Sequence, residues 1–128
     1  MRILIIDDRE DMRKIMGRLF KSKGYDIYLH TSATGAEALM RACAADLLLT
    51  DHDLGPHSDT GLSLAKRMKK KGRKVIIMSG NFDAQDEAVL YDIPFYLKSD
   101  PIENLFSMIE EEVNGQGTAK RVSAVQGL

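Results

Sequence analysis

Apolar residues along this chain fall into two alternating rhythms. Short unbroken runs, Ile3-Leu4-Ile5-Ile6, Leu47-Leu48-Leu49 and Val75-Ile76-Ile77-Met78, have the form of strands buried on both faces. Between them lie stretches in which apolar residues recur at helical spacing. Met12, Ile15, Met16, Leu19 and Phe20 follow the i, i+3, i+4, i+7, i+8 pattern of an amphipathic helix. Glu10 and Asp11 open that helix and Lys21 and Lys23 close it, which suits its dipole, and Gly24 is placed to end it.

The same alternation continues to residue 113. Residues 2–6 are the first predicted strand and Tyr25 to Thr31 the second, whose mixed polarity (Asp26, Tyr28, His30) places it at an edge. Thr34-Gly35-Ala36-Glu37 has the form of a capping box. It would open a second helix carrying Ala36, Leu39, Met40 and Cys43 on one face. Residues 46–50 are the third strand. Thr60 is placed to cap a third helix with Leu64, Ala65 and Met68 inward and Gly72 after its end. Lys74 to Met78 is the fourth strand, Asp83 to Leu90 a short fourth helix, and Phe95 to Leu97 the fifth strand. Asp100-Pro101, with Glu103 following, predicts a capped fifth helix whose inward stripe is Ile102, Leu105, Phe106, Ile109 and Val113. From Gly115 the periodicity stops. The chain therefore divides into one domain, 1–114, and a flexible C-terminal tail or linker stub, 115–128.

Five strands alternating with five helices imply an α/β fold. The expected architecture is a five-stranded parallel sheet with right-handed crossovers and helices on both faces. The most apolar strands, one, three and four, belong in the middle, and order 2-1-3-4-5 is the simplest arrangement that puts them there.

Composition narrows the function classes. The chain has 128 residues, enough for one domain with a real core, 44% of them apolar and 29% charged. Its formal net charge of −1 gives no global field to recruit nucleic acid or an anionic membrane. No apolar stretch approaches the ~20 residues of a membrane span, and the N-terminus lacks a signal-peptide layout. A single cysteine, Cys43, on an apolar helix face excludes an internal disulfide and has the character of an inert core residue. These features lead us to expect a cytoplasmic protein.

The chemistry lies where the apolar runs end. The first stops at Asp7-Asp8, the third strand at Asp51, the fourth at Ser79 and the fifth at Lys98. In an open α/β sheet, ligands bind at the carboxyl ends of the strands, so these groups are expected to converge. Two unit charges ~4 Å apart repel by on the order of 4 kcal/mol at an effective dielectric of ~20. A hard divalent cation removes that repulsion, and magnesium favours a few carboxylates with waters and a phosphate oxygen. Such a metal neutralises an incoming phosphoryl group, and a central carboxylate can then form an aspartyl phosphate. Acids at strand ends can instead cap the next helix. That account suits Asp8 alone better than it suits five groups of fitting chemistry together.

On ILIIDD, LLLTDHDLG, the helix start at Gly61, VIIMSGN and FYLKS, the sequence over about residues 2–114 resembles the receiver domain of two-component response regulators, the CheY-like superfamily. The resemblance implies the flavodoxin-like receiver fold and the same 2-1-3-4-5 order. It also implies that Asp51 is the phosphoacceptor. Asp7 and Asp8, directly or through water, would hold Mg2+ (or Mn2+) with Asp51 and the main-chain carbonyl of Asp53. Ser79 and Lys98 would contact the phosphoryl group, and Ser79 with Phe95 would form the switch. Asp53 and Asn81 fall at the positions that tune dephosphorylation. The implied function is a phosphoacceptor, not a self-contained enzyme, with only weak self-phosphorylation and self-dephosphorylation. It would take phosphate from a histidine kinase or phosphotransfer protein and signal to an unidentified output protein. It would act as a stand-alone regulator, a phosphorelay intermediate or a receiver excised from a larger protein. No direct nucleic-acid or membrane contact is implied. A homodimer would form through the fourth helix, fifth strand and fifth helix.

The chain departs from the family pattern at three places. Ser99 follows Lys98 where the family has a proline after a cis bond, which predicts a differently built loop. Gly55 stands where proline is common, in a loop about two residues longer than usual. The Ser79–Lys98 stretch is short, which predicts a reduced fourth helix.

Four other readings compete. A degenerate receiver would signal without phosphate. A haloacid-dehalogenase-like phosphatase would use Asp51-His52-Asp53 as its DxD, with Ser79 and Lys98 following in order. A zinc site would need three or four of Asp51, His52, Asp53, His57 and Asp59 to converge. The basic run Arg67, Lys69, Lys70, Lys71, Arg73 and Lys74 would be either a solvated helix end or a docking surface for an acidic partner.

Overall fold

The computed structural model describes residues 1–114, and the tail expected over 115–128 lies outside them. Five strands, β1 (Arg2–Ile6), β2 (Asp26–His30), β3 (Leu47–Asp51), β4 (Val75–Ser79) and β5 (Phe95–Leu97), alternate with five helices. These are α1 (Glu10–Ser22), α2 (Ala36–Ala42), α3 (Gly61–Lys70), α4 (Gln85–Leu90) and α5 (Ile102–Val113). All strand pairs are parallel and the order is β2-β1-β3-β4-β5. The registers Ile6↔Thr50 and Asp51↔Met78 bring the ends of β1, β3 and β4 level. Asp7, Asp51 and Ser79 therefore leave the sheet along one edge.

Alternate side chains on each strand feed two cores. Leu4, Ile6, Leu48, Val75 and Ile77 pack with Met40 of α2, Leu64 and Met68 of α3 and Ala88 of α4. Ile3, Ile5, Leu47, Leu49, Ile76 and Met78 pack with Met16 and Phe20 of α1 and Leu105 and Ile109 of α5. β3 and β4 are buried at every position, whereas no residue of β2 is fully buried. The edge position expected for the second strand is thus observed. Full burial of each large apolar side chain is worth ~1.5–3 kcal/mol, so the two cores hold the strand ends in fixed relation.

Several local expectations are corrected. The inward face of α1 is Met16, Gly17 and Phe20, while Ile15 is 50% exposed and Leu19 37%. A Cβ on Gly17 would lie 3.5 Å from Ile27 Cδ1, so the helix packs against β2 on its small residue and turns Ile15 outward. Thr34 does not cap α2. Gly35, in the left-handed region (φ 76°), is the N-cap residue, and the Thr34 carbonyl accepts a 2.7 Å hydrogen bond from His30 Nε2. Asp100 does not cap α5, because Pro101 occupies that position. The Asp100 carbonyl accepts from the Tyr96 hydroxyl at 2.7 Å, and its amide donates to the Leu97 carbonyl, so the residue closes the preceding turn. Thr60 does cap α3, its hydroxyl accepting from the Ser63 amide at 3.1 Å. α4 begins at Gln85, two residues later than its sequence pattern suggests, and is six residues long.

Candidate functional site

Each strand end is held by backbone contacts that aim its side chain. The amide of Asp7 donates to the His30 carbonyl, and Asp7 Oδ1 accepts from the Arg9 amide at 3.0 Å, which fixes the carboxylate under the start of α1. The guanidinium of Arg13 donates to the Asp7 carbonyl at 2.8 Å. At β3 the amide of His52 donates to the Met78 carbonyl, and Gly61 donates to the His52 carbonyl at 2.7 Å. α3 thus starts directly behind Asp51. A Cβ on Gly61 would lie 1.8 Å from the Asp51 carbonyl oxygen, so this approach requires glycine. The amide of Lys98 donates to the Ser79 carbonyl at 2.8 Å, which ties the end of β5 to the end of β4.

Asp7, Asp8 and Asp51 can each offer a carboxylate oxygen such that all three lie within 4.8 Å of one another. Asp7 is fully buried, Asp51 nearly so, and Asp8 is exposed. Lys98 Nζ donates to Asp51 Oδ2 at 2.9 Å and to Asp7 Oδ2 at 3.2 Å. Burial raises the Asp51 pKa above the usual carboxylate range; Lys98 opposes that rise and Asp7 adds to it. Burial works against the charge on Lys98, yet the hydrogen bond and charge of Asp51, with Asp7, carry its pKa above the ordinary lysine value. A set of three hard oxygen donors with one ammonium beside it fits a small divalent cation.

A cavity of about 480 Å³ opens over this cluster, lined among others by Asp8, Asp51, Asp53, Ser79, Asn81 and Lys98. Ser79 is buried, and its Oγ accepts from the Asn81 amide at 3.2 Å. Asp53 Oδ1 accepts from the Gly55 amide and Asn81 Oδ1 from the Asp83 amide, each at 3.0 Å. Both side chains therefore brace their own loops at the rim of the cavity. Gly55 has φ 88°, outside the range of proline, and its α-carbon faces Asp8 so closely that a Cβ would be 3.4 Å from Asp8 Oδ2.

Phe95 is not at this cavity. It packs against the core beneath α3 and α4 and lines a second cavity of about 300 Å³ beside α4. Arg9, Thr60, Gly80 and Asp83 also line the first cavity and were not singled out for it from sequence. Arg9, Gly80 and Asp83 follow strand ends closely, which was the available signal, whereas Thr60 reaches the cavity from the start of α3. Among the described residues the three aspartates are the only group arranged to hold a metal, so His52, His57 and Asp59 do not form a zinc site. His52 Nδ1 is buried without a hydrogen-bond partner. Among the described residues there is no cis peptide, so the Lys98–Ser99 bond is trans. The loop differs from the family pattern in the way expected.

The basic run is largely engaged by neighbouring elements. Arg67 pairs with Asp59 at 2.9 Å, Lys69 with Asp92 at 3.8 Å and Lys71 with Glu37. Lys74 Nζ donates to the Val113 carbonyl at 2.9 Å, where a cation suits the end of α5.

Comparison with known proteins agrees with this geometry. The family model described as the response regulator receiver domain matches residues 3–94. The chain belongs to that family. Its fold is shared by the BeF3-activated N-terminal receiver domain of Klebsiella pneumoniae RstA, with a TM-score of 0.79 and 14% identity over 88% of this chain and 98% of that one. The receiver domain of Francisella response regulator 1452 gives a TM-score of 0.75 and 21% identity over 88% and 96%. NtrX from Brucella abortus gives a TM-score of 0.78 and 23% identity over 97% of this chain, which spans only 29% of that protein. A search of curated proteins returned no match. As a receiver domain, the chain is of the class that meets a kinase or phosphotransfer protein on one side and an output on the other, and its acidic cluster is consistent with a phosphorylation site. Among the described residues no helix is long and apolar enough to cross a membrane.

Proposed function

We propose that this receiver domain accepts a phosphoryl group on Asp51 from a phosphohistidine of a histidine kinase or phosphotransfer protein. A carboxylate oxygen of Asp51 forms the new bond to phosphorus as the bond to the histidine nitrogen breaks. The observation that carries the reading is the convergence of three carboxylates, two of them paired with Lys98, at the mouth of a cavity. Asp7, Asp8, Asp51 and the Asp53 carbonyl would hold Mg2+, or Mn2+ in its place. When bound, the cation neutralises charge on the carboxylates and on the phosphoryl oxygens. Lys98 supplies the second cationic partner. The Ser79 hydroxyl, now accepting from the Asn81 amide, would turn to donate to a phosphoryl oxygen. That movement, with a rearrangement of Phe95, would alter the surface around α4, β5 and α5, where an output protein or a second copy of the chain would bind. Asp53 and Asn81, at the rim, would set how readily water reaches the phosphoryl group. The domain acts as a phosphoacceptor rather than as a turnover enzyme. It would do so in the cytoplasm, alone, within a relay or as part of a longer protein.

The test is intact-protein mass spectrometry after incubation with acetyl phosphate and Mg2+, alongside Asp51→Asn. One phosphoryl group on the wild type alone is expected. Labelling of Asp51→Asn to the same extent would refute the assignment of Asp51, and no adduct on either chain would indicate a receiver that signals without phosphate. The phosphatase alternative calls for sustained turnover of a phosphate ester. Family membership and the presence of Asp7-Asp8 in the acidic cluster argue for the receiver.

A further inference from the structure

The outer surface of α4 is the least expected part of this molecule. Leu90 is 80% exposed, Val89 69% and, in the loop leading into the helix, Phe82 59%. Single exposed apolar residues are ordinary, but several large ones within nine positions mark a contact surface. Only Ala88 of this six-residue helix is fully buried. Beside Val89 lies the second cavity, lined also by Ile93, Pro94 and Phe95 with Gln85 and Asp92, and large enough to admit an apolar side chain.

The charges that this segment itself carries have one sign. From residue 75 to residue 97 the chain carries Asp83, Asp86, Glu87 and Asp92 and no lysine or arginine. The nearest cations come from α3 and are engaged from behind. Lys66 Nζ donates to Glu87 Oε2 at 3.2 Å and lies 4.5 Å from the Tyr91 ring centroid, and Lys69 pairs with Asp92 at 3.8 Å. These contacts hold α4 sideways against α3 and leave its outer apolar face uncovered. Asp83 and Asp86 are exposed beside it.

We infer that the outer face of α4, with the cavity beside Val89, docks a basic amphipathic helix of an output protein. An apolar stripe would lie across Val89 and Leu90 with one side chain in the cavity, and flanking lysines or arginines would meet Asp83 and Asp86. An acidic rim around an apolar centre selects such a partner over an acidic or uncharged one, and it adds salt-dependent association. The inference deepens the reading above by naming the chemistry of the output partner. It rests on that reading only for the link to phosphorylation, through Phe95.

The experiment pans a library of randomised helix-forming peptides on the full chain and reads affinities by fluorescence anisotropy. The enriched peptides should carry apolar residues at i, i+3 or i+4 and i+7 with an excess of lysine and arginine. Val89→Ser/Leu90→Ser, a change at exposed positions that the fold does not need, should weaken them by at least about tenfold. Asp86→Lys should weaken them several-fold and flatten their salt dependence. Enrichment of acidic or uncharged peptides, no enrichment, or binding indifferent to these variants would overturn the inference. So would a concentration-dependent dimer abolished by Val89→Ser/Leu90→Ser, which would make a second copy the occupant. Repeating the titration with acetyl phosphate and Mg2+ on wild type and Asp51→Asn separates the two readings. Loss of labelling would count against the phosphoacceptor alone. Labelling without a change in peptide affinity would leave the docking chemistry standing and remove its link to Phe95.

Discussion

A Cβ atom on Gly61 would stand 1.8 Å from the carbonyl oxygen of Asp51 and 2.7 Å from its carbonyl carbon. The first residue of α3 and the end of β3 therefore share space that admits only a hydrogen. Gly61→Ala must push the helix start away from the residue that carries the central carboxylate. We expect a stability loss of ~1–3 kcal/mol, the usual range for overpacking against backbone, in urea denaturation. Labelling by acetyl phosphate should slow in the same variant. Wild-type stability and rate together would mean that the helix start shifts at no cost.

Among the described residues Lys98 is the side-chain cation paired with the carboxylates of both Asp7 and Asp51. Lys98→Ala leaves two buried carboxylates facing each other. Breaking a buried pair from one side costs ~3–5 kcal/mol, and the partial exposure of Lys98 places this case at the lower end. Thermal or chemical denaturation in metal-free buffer should show the loss, and millimolar Mg2+ should restore more stability to the variant than it adds to the wild type. Equal gains from Mg2+ in both chains would mean that Lys98 does not balance the acids.

Two threonines precede helices, and only one acts as a cap. Thr60→Ala should cost ~1 kcal/mol, because the Ser63 amide loses its acceptor. Thr34→Ala should stay within about 0.5 kcal/mol, as expected for a substitution that removes no cap. The two variants can be compared in a single denaturation series, and a reversed order would contradict the observed helix starts.

Tyr25 hydrogen-bonds Glu110 Oε1 at 2.8 Å and stacks near Phe106, with ring centroids 6.2 Å apart. Burial, with Glu110 beside it, pushes its phenol up to about 12. The folded chain therefore holds this proton more tightly than the unfolded chain, in which tyrosine titrates near 10. The stability that follows is fully present below about 10 and is lost as pH rises towards 12. Absorbance of tyrosinate should show a late-ionising component that disappears in Tyr25→Phe, while Tyr96, whose phenol burial also raises, still ionises late, and the variant should lose less stability than the wild type across that window.

Much of the sheet was legible because three apolar runs each end in a polar group, and a parallel strand buried on both faces has few other forms. The acidic cluster was legible for the same reason: strand ends in one open sheet meet at one edge. Helix starts were less so. Thr60, Thr34 and Asp100 carry equivalent signals, and what separates them is tertiary: Gly35 takes a left-handed conformation, and Tyr96 holds the Asp100 carbonyl. The stripe on α1 misled because Gly17, which counts as neutral in an apolar pattern, is the residue that lets the helix meet β2. The basic run could not be assigned from sequence, since its partners Glu37, Asp59 and Asp92 lie on other elements.

The polarity of β2 has a consequence for how this protein behaves in company. An open sheet has two unpaired edges, and each is a template on which another chain could add a strand. Here one edge, β5, is three residues long, and the other, β2, places Asp26 at its start and His30 at its end around exposed Tyr28 and Leu29. A foreign strand seeking either edge finds too short a rail or polar ends. A sheet whose middle is as apolar as β3 and β4 is therefore guarded against edge-to-edge pairing, and the residues that look least committed to the fold are the ones that keep sheets from fusing.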